Sequence, residues 1–434
     1  SEWPNPIGFC SLTYENGPLY YEDFPRTDDP LYILGEKYST LYDRDELKHD
    51  VLSRIWFTYR RNFAAIGGNG PINDTGWGCM LRCGQMMLAQ ALILRHLGRK
   101  WRWNPQVYDQ IYWKVLSMFQ DKKSSYYSIH QIASMGDSEG KAVGQWFGPN
   151  TIAQVLKKIS VYDEWSNIVV HVAMDNTVIE SDISKLLCDT GKSNSSDING
   201  SAHHKTDSEG FTNCTFNTGQ TNQSETRQRF MKSERWKPLL LIIPLRLGLT
   251  DINPVYFDSL KSCLGLRQSV GIIGGKPNHA HWFIGYLGEE LVYLDPHTTQ
   301  LFVNLDDKSS TDDSYHCPFP GRMRLNQLDP SVAVGFYCGT EEDFDDLCLT
   351  FNKFIIRPCK NPMFELYKER PAHLPSSLTS PEQTSLIVGL SIWGTLTFLS
   401  CIRSMGWVFL LSIYTKIVIL LQLVTHLIND FCIF

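Results

Sequence analysis

"DTGWGCMLRCGQMMLAQALILRHLG", residues 74–98, decides how the chain is read. A Gly-rich turn leads into an apolar run with the spacing of an amphipathic helix, and Cys79 stands at the junction. Gly76 and Gly78 permit a tight approach there, and Gly98 ends the helix. A helix N-terminus stabilises a thiolate, and the cysteine's own backbone N–H can face a developing oxyanion. The same residue also reads as a small apolar side chain opening a core helix, which is the commoner circumstance.

Outward from this stretch, "DRDELKHDVLSRIWFTYRRNF", residues 43–63, reads as one helix with acids first and Arg60 and Arg61 last. Asn104-Pro105 predicts a helix start running to about Phe119, and Pro149 another. "NIVVHVAMDN" predicts a strand, with Asn176 capping the helix after it. Residues 1–40 hold one short apolar piece, Leu31 to Gly35, and the first 20 read as a flexible arm. From 236 onward strands dominate, at "KPLLLIIPLRLG", "SVGIIGG", "AHWFIGYLG", "ELVYLDPH" and "VAVGFYC", before a closing helix at "EEDFDDLCLTFNKF". Helices first and strands after favour an α+β fold over a wound parallel sheet.

Residues 189–234 are rich in Ser, Thr, Asn, Gln and Gly, an insert too polar for a core and expected to be disordered. Residues 371–385 read as a linker, so the folded domain is expected over 21–370. The tail, 386–434, differs again. Its first uncharged run, Leu386 to Ile402, meets only the lower limit of roughly 17–25 residues for crossing a bilayer, and Lys416 interrupts the second. Two readings stay open, a membrane hairpin and non-native read-through of the coding sequence.

The 434 residues include 43% hydrophobic and 20% charged, enough for a sizeable core. A formal charge of −6 gives no basic footprint for nucleic acid. The 12 cysteines form no CxxC pair and no Cys/His metal spacing, as in a protein with reduced cytoplasmic thiols. No charged flank and apolar run open the sequence, so a secretory leader is not expected. No metal or cofactor is expected.

A cysteine nucleophile needs a base. Sorting the histidines leaves His279, His281 and His297, all in the strand-rich half. In a papain-type arrangement the base opens a strand and its orienting partner lies on the next, which fits Cys79, His281 and Asp295. In "LDPH", Asp295 and His297 stand at i, i+2, so both would face one side of an extended segment. A carboxylate beside an imidazole fixes its tautomer and stabilises the imidazolium. The residues alone leave both arrangements open.

"GPINDTGWGCMLRCGQMMLAQALILRHLGRKWRW", "YYSIHQIASMG", "GQWFGPNTIAQVLKK", "IPLRLGLTDIN", "GIIGGKPN" and "YLDPHTTQ" together resemble the autophagins, the papain-like cysteine proteases of autophagy. The likeness runs from about Tyr21 to Leu366 and is greatest to the shorter animal forms. It implies a papain-like fold with a small additional subdomain, acting as a monomer. It also implies a substrate, the ubiquitin-like modifiers of the GABARAP and light-chain-3 type. These are trimmed after a Gly near the C-terminus and released from phosphatidylethanolamine, so that the membrane is met through the substrate. Carried onto matching positions, the resemblance makes Cys79 the nucleophile, His297 the base and Asp295 its orienter. Tyr59 would assist the oxyanion hole, and Trp146 would cap the cleft over the substrate Gly. The loop Gly274 to Ala280, with Gly275, Pro277 and Asn278, would be a hinged gate. Cys83, one turn beyond Cys79, reads as core packing or as a redox partner.

The tail departs from the family, whose members commonly end in an acidic segment with a modifier-binding motif. Catalysis is expected to survive this change, and recruitment to membrane-bound modifier to suffer. Two rival functions remain at this stage: an inactive, membrane-anchored modifier binder on the same fold, and a deubiquitinase-like protease on another ubiquitin-like protein.

Overall fold

The computed structural model describes residues 11–12, 23–188, 236–277, 279–307 and 309–374. The insert at 189–234, Asn278 and the apolar tail at 386–434 lie outside them. The contacts of the chain divide between Arg370 and Pro371, and every element below belongs to the first unit.

The strands are β1 (Ser11–Leu12), β2 (Leu31–Ile33), β3 (Glu36–Tyr38), β4 (Tyr59–Arg61), β5 (Val169–Val172), β6 (Thr177–Ile179), β7 (Leu239–Arg246), β8 (Ser269–Lys276), β9 (His279–Leu287), β10 (Glu290–Leu294), β11 (Thr298–Leu301), β12 (Gly321–Arg324), β13 (Ser331–Cys338) and β14 (Glu365–Tyr367). The helices are α1 (Arg44–Leu52), α2 (Cys79–His96), α3 (Gln110–Ser117), α4 (Ile129–Met135), α5 (Pro149–Ser160), α6 (Glu180–Leu187), α7 (Phe257–Gly265) and α8 (Glu341–Phe351).

The central sheet has nine strands, in the order β12-β10-β9-β8-β13-β7-β5, with β2 beside β9 and β3 beside β2. Its neighbours are antiparallel except β5 and β7. A side-chain period of two sends Leu240 and Ile242 into one core and Leu239, Leu241 and Ile243 into the other. Helices α2 and α5 cover the first face, α7 and α8 the second. With both faces covered, the strands read as continuous apolar runs. This is the α+β arrangement. A small sheet, β1-β11-β4, stands beside it, and β14 pairs with β6.

Helix α2 departs from the amphipathic reading, because every residue from Cys79 to Ile93 is buried. Its polar residues therefore find internal partners: Gln90 accepts from Arg54 at 2.8 Å, and Gln85 donates to the Tyr127 carbonyl at 2.7 Å. Gly98, at φ +82°, ends the helix in the left-handed region.

Four local expectations are corrected. The helix expected over 43–63 stops at Leu52, where the Ser53 hydroxyl donates to the His49 carbonyl at 2.6 Å. The β-branched and aromatic residues beyond it then run extended into β4. Asn104-Pro105 makes a turn, and α3 starts five residues later under an Asp109 cap. Asn176 sits in a left-handed turn before β6, while α6 begins at Glu180. The apolar piece at Leu31, expected only as a short isolated run, is a hairpin, β2-β3, turned at Leu34 and Gly35 and paired to β9.

That hairpin is pinned by a buried charge cluster. Asp50, with a fully buried side chain, pairs with Arg54 at 3.2 Å, Arg99 at 2.6 Å and Arg102 at 3.0 Å. Arg99 also donates to the carbonyls of Ile33 and Leu34. Asp50→Ala leaves these guanidiniums uncompensated, and urea unfolding is expected to show a loss of about 3–5 kcal/mol. A loss under about 1 kcal/mol would show the cluster to be dispensable.

Candidate active site

The turn before α2 is built by Asp74. Its carbonyl accepts the N–H of Trp77 at 3.2 Å and of Gly78 at 2.8 Å. Its buried carboxylate accepts the Arg60 N–H at 2.7 Å and Arg82 at 2.8 and 3.0 Å. Arg82 also reaches Asp121 at 2.8 Å. The two glycines serve different needs. Gly76 has φ +85°, which favours glycine. Gly78 has an ordinary φ, but a Cβ there would lie 2.1 Å from Asp74 Oδ2.

Cys79 is the first residue of α2 and fully buried. Burial pushes its thiol up, but the net shift is downward. The neighbouring His297 imidazole and its charge, the Ala280 backbone N–H and the Tyr59 hydroxyl together outweigh it. Burial likewise opposes charge on His297, yet Asp295 and Cys79 raise it to about 10. The two shifts, the thiol downward and the imidazole upward, both favour the thiolate–imidazolium pair.

Asp295, Pro296 and His297 form the turn between β10 and β11. The extended segment read from "LDPH" is an Asx turn instead. Asp295 Oδ1 accepts the His297 backbone N–H at 2.9 Å and His297 Nδ1–H at 2.5 Å. Its partial loss of water would raise the carboxyl, although the side chain is still 48% exposed, and the His297 bonds and nearby His281 bring it down to about 2. His281 Nε2 stands 3.9 Å from the same oxygen, and burial holds that imidazole neutral, at about 4. The structure thus brings both histidines to Asp295. Of the two, it is His297 that is hydrogen-bonded to the Asp295 carboxylate and that lowers the Cys79 thiol.

Tyr59 lies on strand β4, not on a helix, and is fully buried. Its ring meets His297 edge-on at 5.6 Å, and burial and Cys79 push its hydroxyl far up, so it stays a donor. Gly274 and Gly275 belong to β8, opposite His281 and Ala280 of β9. The expected hinged loop is therefore a β-hairpin with Pro277 at its tip, and Asn278 lies outside the described residues. Trp146, just before α5, is half-buried against the core that contains Cys79. Cys83 is buried behind Cys79, and burial, Cys79 and Asp295 push its thiol well up.

The peptidase C54 catalytic domain matches residues 44–350. The chain belongs to the peptidase C54 family, the autophagins. It is 53% identical to the cysteine protease ATG4B of Gallus gallus over 367 residues, 84% of this chain and 90% of that one. It is 47% identical to the cysteine protease ATG4A of Homo sapiens over 377 residues, 84% and 89% of the two chains. This autophagin is a cysteine endopeptidase of autophagy with the papain-like α+β fold.

Several site residues of the autophagin carry no signal in the sequence. Trp56 donates from Nε1 to the Asp295 carbonyl at 2.7 Å, and Ala280 contributes only its backbone. Asp121 lies 39 residues from the Arg82 it pairs with. Asp74 stands in the opening stretch, but nothing there marks it as the buried carboxyl that builds the turn.

Two measurements test this electrostatic account. Alkylation of Cys79 by iodoacetamide is expected to stay fast below the ordinary thiol range, and His297→Ala to move its midpoint up by about 1–3 pH units. An unchanged midpoint would remove His297 as the cause. Gly78→Ala forces Asp74 aside and is expected to cost about 1–3 kcal/mol in thermal unfolding. Retention of full stability would show that the carboxylate is not fixed.

Proposed function

We propose that this autophagin cleaves GABARAP- and light-chain-3-type ubiquitin-like modifiers after a C-terminal Gly. The thiolate of Cys79 attacks the Gly carbonyl, and the oxyanion develops beside the Cys79 N–H and the Tyr59 hydroxyl. His297 Nε2 gives a proton to the departing nitrogen, and the C–N bond breaks to leave a thioester. Water then adds under His297 as base, freeing the modifier and the thiol. Asp295 orients His297 throughout.

Precursor trimming and release from phosphatidylethanolamine are one reaction in this reading. Both substrates present an amide on the same Gly carbonyl, and only the leaving amine differs. Trp146 and the Gly274–Ala280 hairpin, with Pro277 and Asn278, would line a slot too narrow for a side chain beside the scissile bond. The observation that carries the reading is the Asp295–His297 bond at 2.5 Å, with His297 acting on Cys79.

A modifier extended at its C-terminus tests it. Cys79→Ala and His297→Ala are each expected to lower cleavage by about 10³-fold or more, as loss of a member of such a unit does. His281→Ala is expected to keep measurable cleavage. Equal cleavage by wild type and Cys79→Ala would sink the nucleophile. An active His297→Ala beside a dead His281→Ala would restore the papain-type base. Parallel cleavage of a ubiquitin fusion separates a deubiquitinase-like specificity.

A further inference from the structure

His281 has no step in the mechanism above, yet it is built into the site. It sits on β9 with its ring 4.4 Å from Tyr293 and 5.3 Å from His297. One ligand atom each from His281, Asp295 and His297 lies within 4.8 Å of the other two. His281 Nε2 is 3.9 Å and His297 Nδ1 2.5 Å from Asp295 Oδ1. Ligands about 2.0–2.2 Å from a tetrahedral Zn²⁺ lie about 3.3–3.6 Å apart. The trio reaches that spacing by small side-chain rotations, His281 moving in and His297 moving out. Two imidazoles and one carboxylate suit this ion. The His281 and His297 side chains are 14% and 12% exposed, and that of Asp295 is 48% exposed, which leaves an entry path.

The geometry points to an inhibitory Zn²⁺ site formed by His281, Asp295 and His297. The ion takes the place of the proton between Asp295 Oδ1 and His297 Nδ1, and that proton goes to solvent. His297 then carries its single proton on Nε2, facing Cys79. It has no lone pair to accept the proton of the water that would hydrolyse the thioester. Giving up the Nε2 proton to a leaving amine would make an imidazolate. Proton transfer stops in both directions, and removal of the ion restores it. The inhibitory half rests on the roles proposed above for His297 and Asp295, whereas the binding half does not.

Binding is read on the full chain carrying Cys79→Ala, so that the thiol is no ligand. Zn²⁺ is titrated by calorimetry and against a chromogenic chelator. One ion per chain is expected, and His281→Phe or Asp295→Asn on that background should weaken binding by about tenfold or more. Melting curves check that each variant folds. With Cys79 intact, Zn²⁺ should inhibit cleavage of the extended modifier and a chelator should reverse it. His281→Phe should need about tenfold more Zn²⁺ to halve its own zinc-free rate. No binding to Cys79→Ala, or binding that both variants leave unchanged, would overturn the site. Binding through His281 with full activity in the intact enzyme would overturn the inhibition. Binding in a chain that cleaves no modifier would keep the site and refute the substrate reading instead.

Discussion

The buried carboxylate of Asp74 is the constraint on which the site depends. It ties β4 to α2 by accepting the Arg60 N–H and two bonds from Arg82. It also occupies the space that any side chain at position 78 would need. Taking such charges out of water costs several kcal/mol per ion, so this group is a poor source of net stability. What it supplies is position. Cys79 begins α2 one residue after Gly78, and Tyr59 precedes Arg60 on β4. One buried carboxyl, whose ionisation burial opposes and Arg82 favours, therefore fixes the thiol and the phenol relative to each other.

The second constraint is the turn that carries the chain from the central sheet to the small one. Trp56 holds the Asp295 carbonyl at 2.7 Å, and the Tyr59 N–H holds the Pro296 carbonyl at 2.9 Å. Strand β11 then runs parallel to β4, with Thr299 opposite Tyr59. The segment 56–61 thus grips both Asp74 and the 295–297 turn, which joins the two halves of the site. His281 approaches from β9, and its nearest reach to Asp295 is 3.9 Å. An i, i+2 turn lets His297 take both a main-chain and a ring bond to one oxygen, which a residue on another strand cannot do.

Much of this was legible in the sequence, and the gaps have physical causes. The strand runs were readable because both faces of the central sheet are covered, so apolar residues stand side by side. The start of α2 was readable from its Gly-rich turn. The end of α1 was not, because Leu47, Val51 and Ile55 keep a helical period past the point where the chain turns extended. There the Ser53–His49 bond and the pairing of β4 with β11 override a local pattern. The burial of Arg82, Gln85 and Gln90 was hidden for a similar reason. Polar letters in a helix read as solvent-facing, and their partners Asp121, Tyr127 and Arg54 are all far away in the chain. The residues alone left His281 and His297 open. The choice turns on an Asx turn and a strand pairing that spacing does not encode.

The charge state of Cys79 follows from a contest that no single neighbour decides. Burial alone pushes a thiol up, as it does for Cys83 one turn further along the same helix. Cys79 is reversed by partners from three elements: His297 after β10, the Ala280 N–H on β9 and Tyr59 on β4. Cys83 has none of these among its influences, and the neighbouring Cys79 and Asp295 push it further up. Both cysteines share a helix and its burial, but Cys79 alone stands at the helix N-terminus and alone has these three partners. The reactive state is a property of the assembled strands around the helix start. The hairpin that carries Gly274 and Gly275 is part of that assembly, since its second strand supplies the Ala280 N–H.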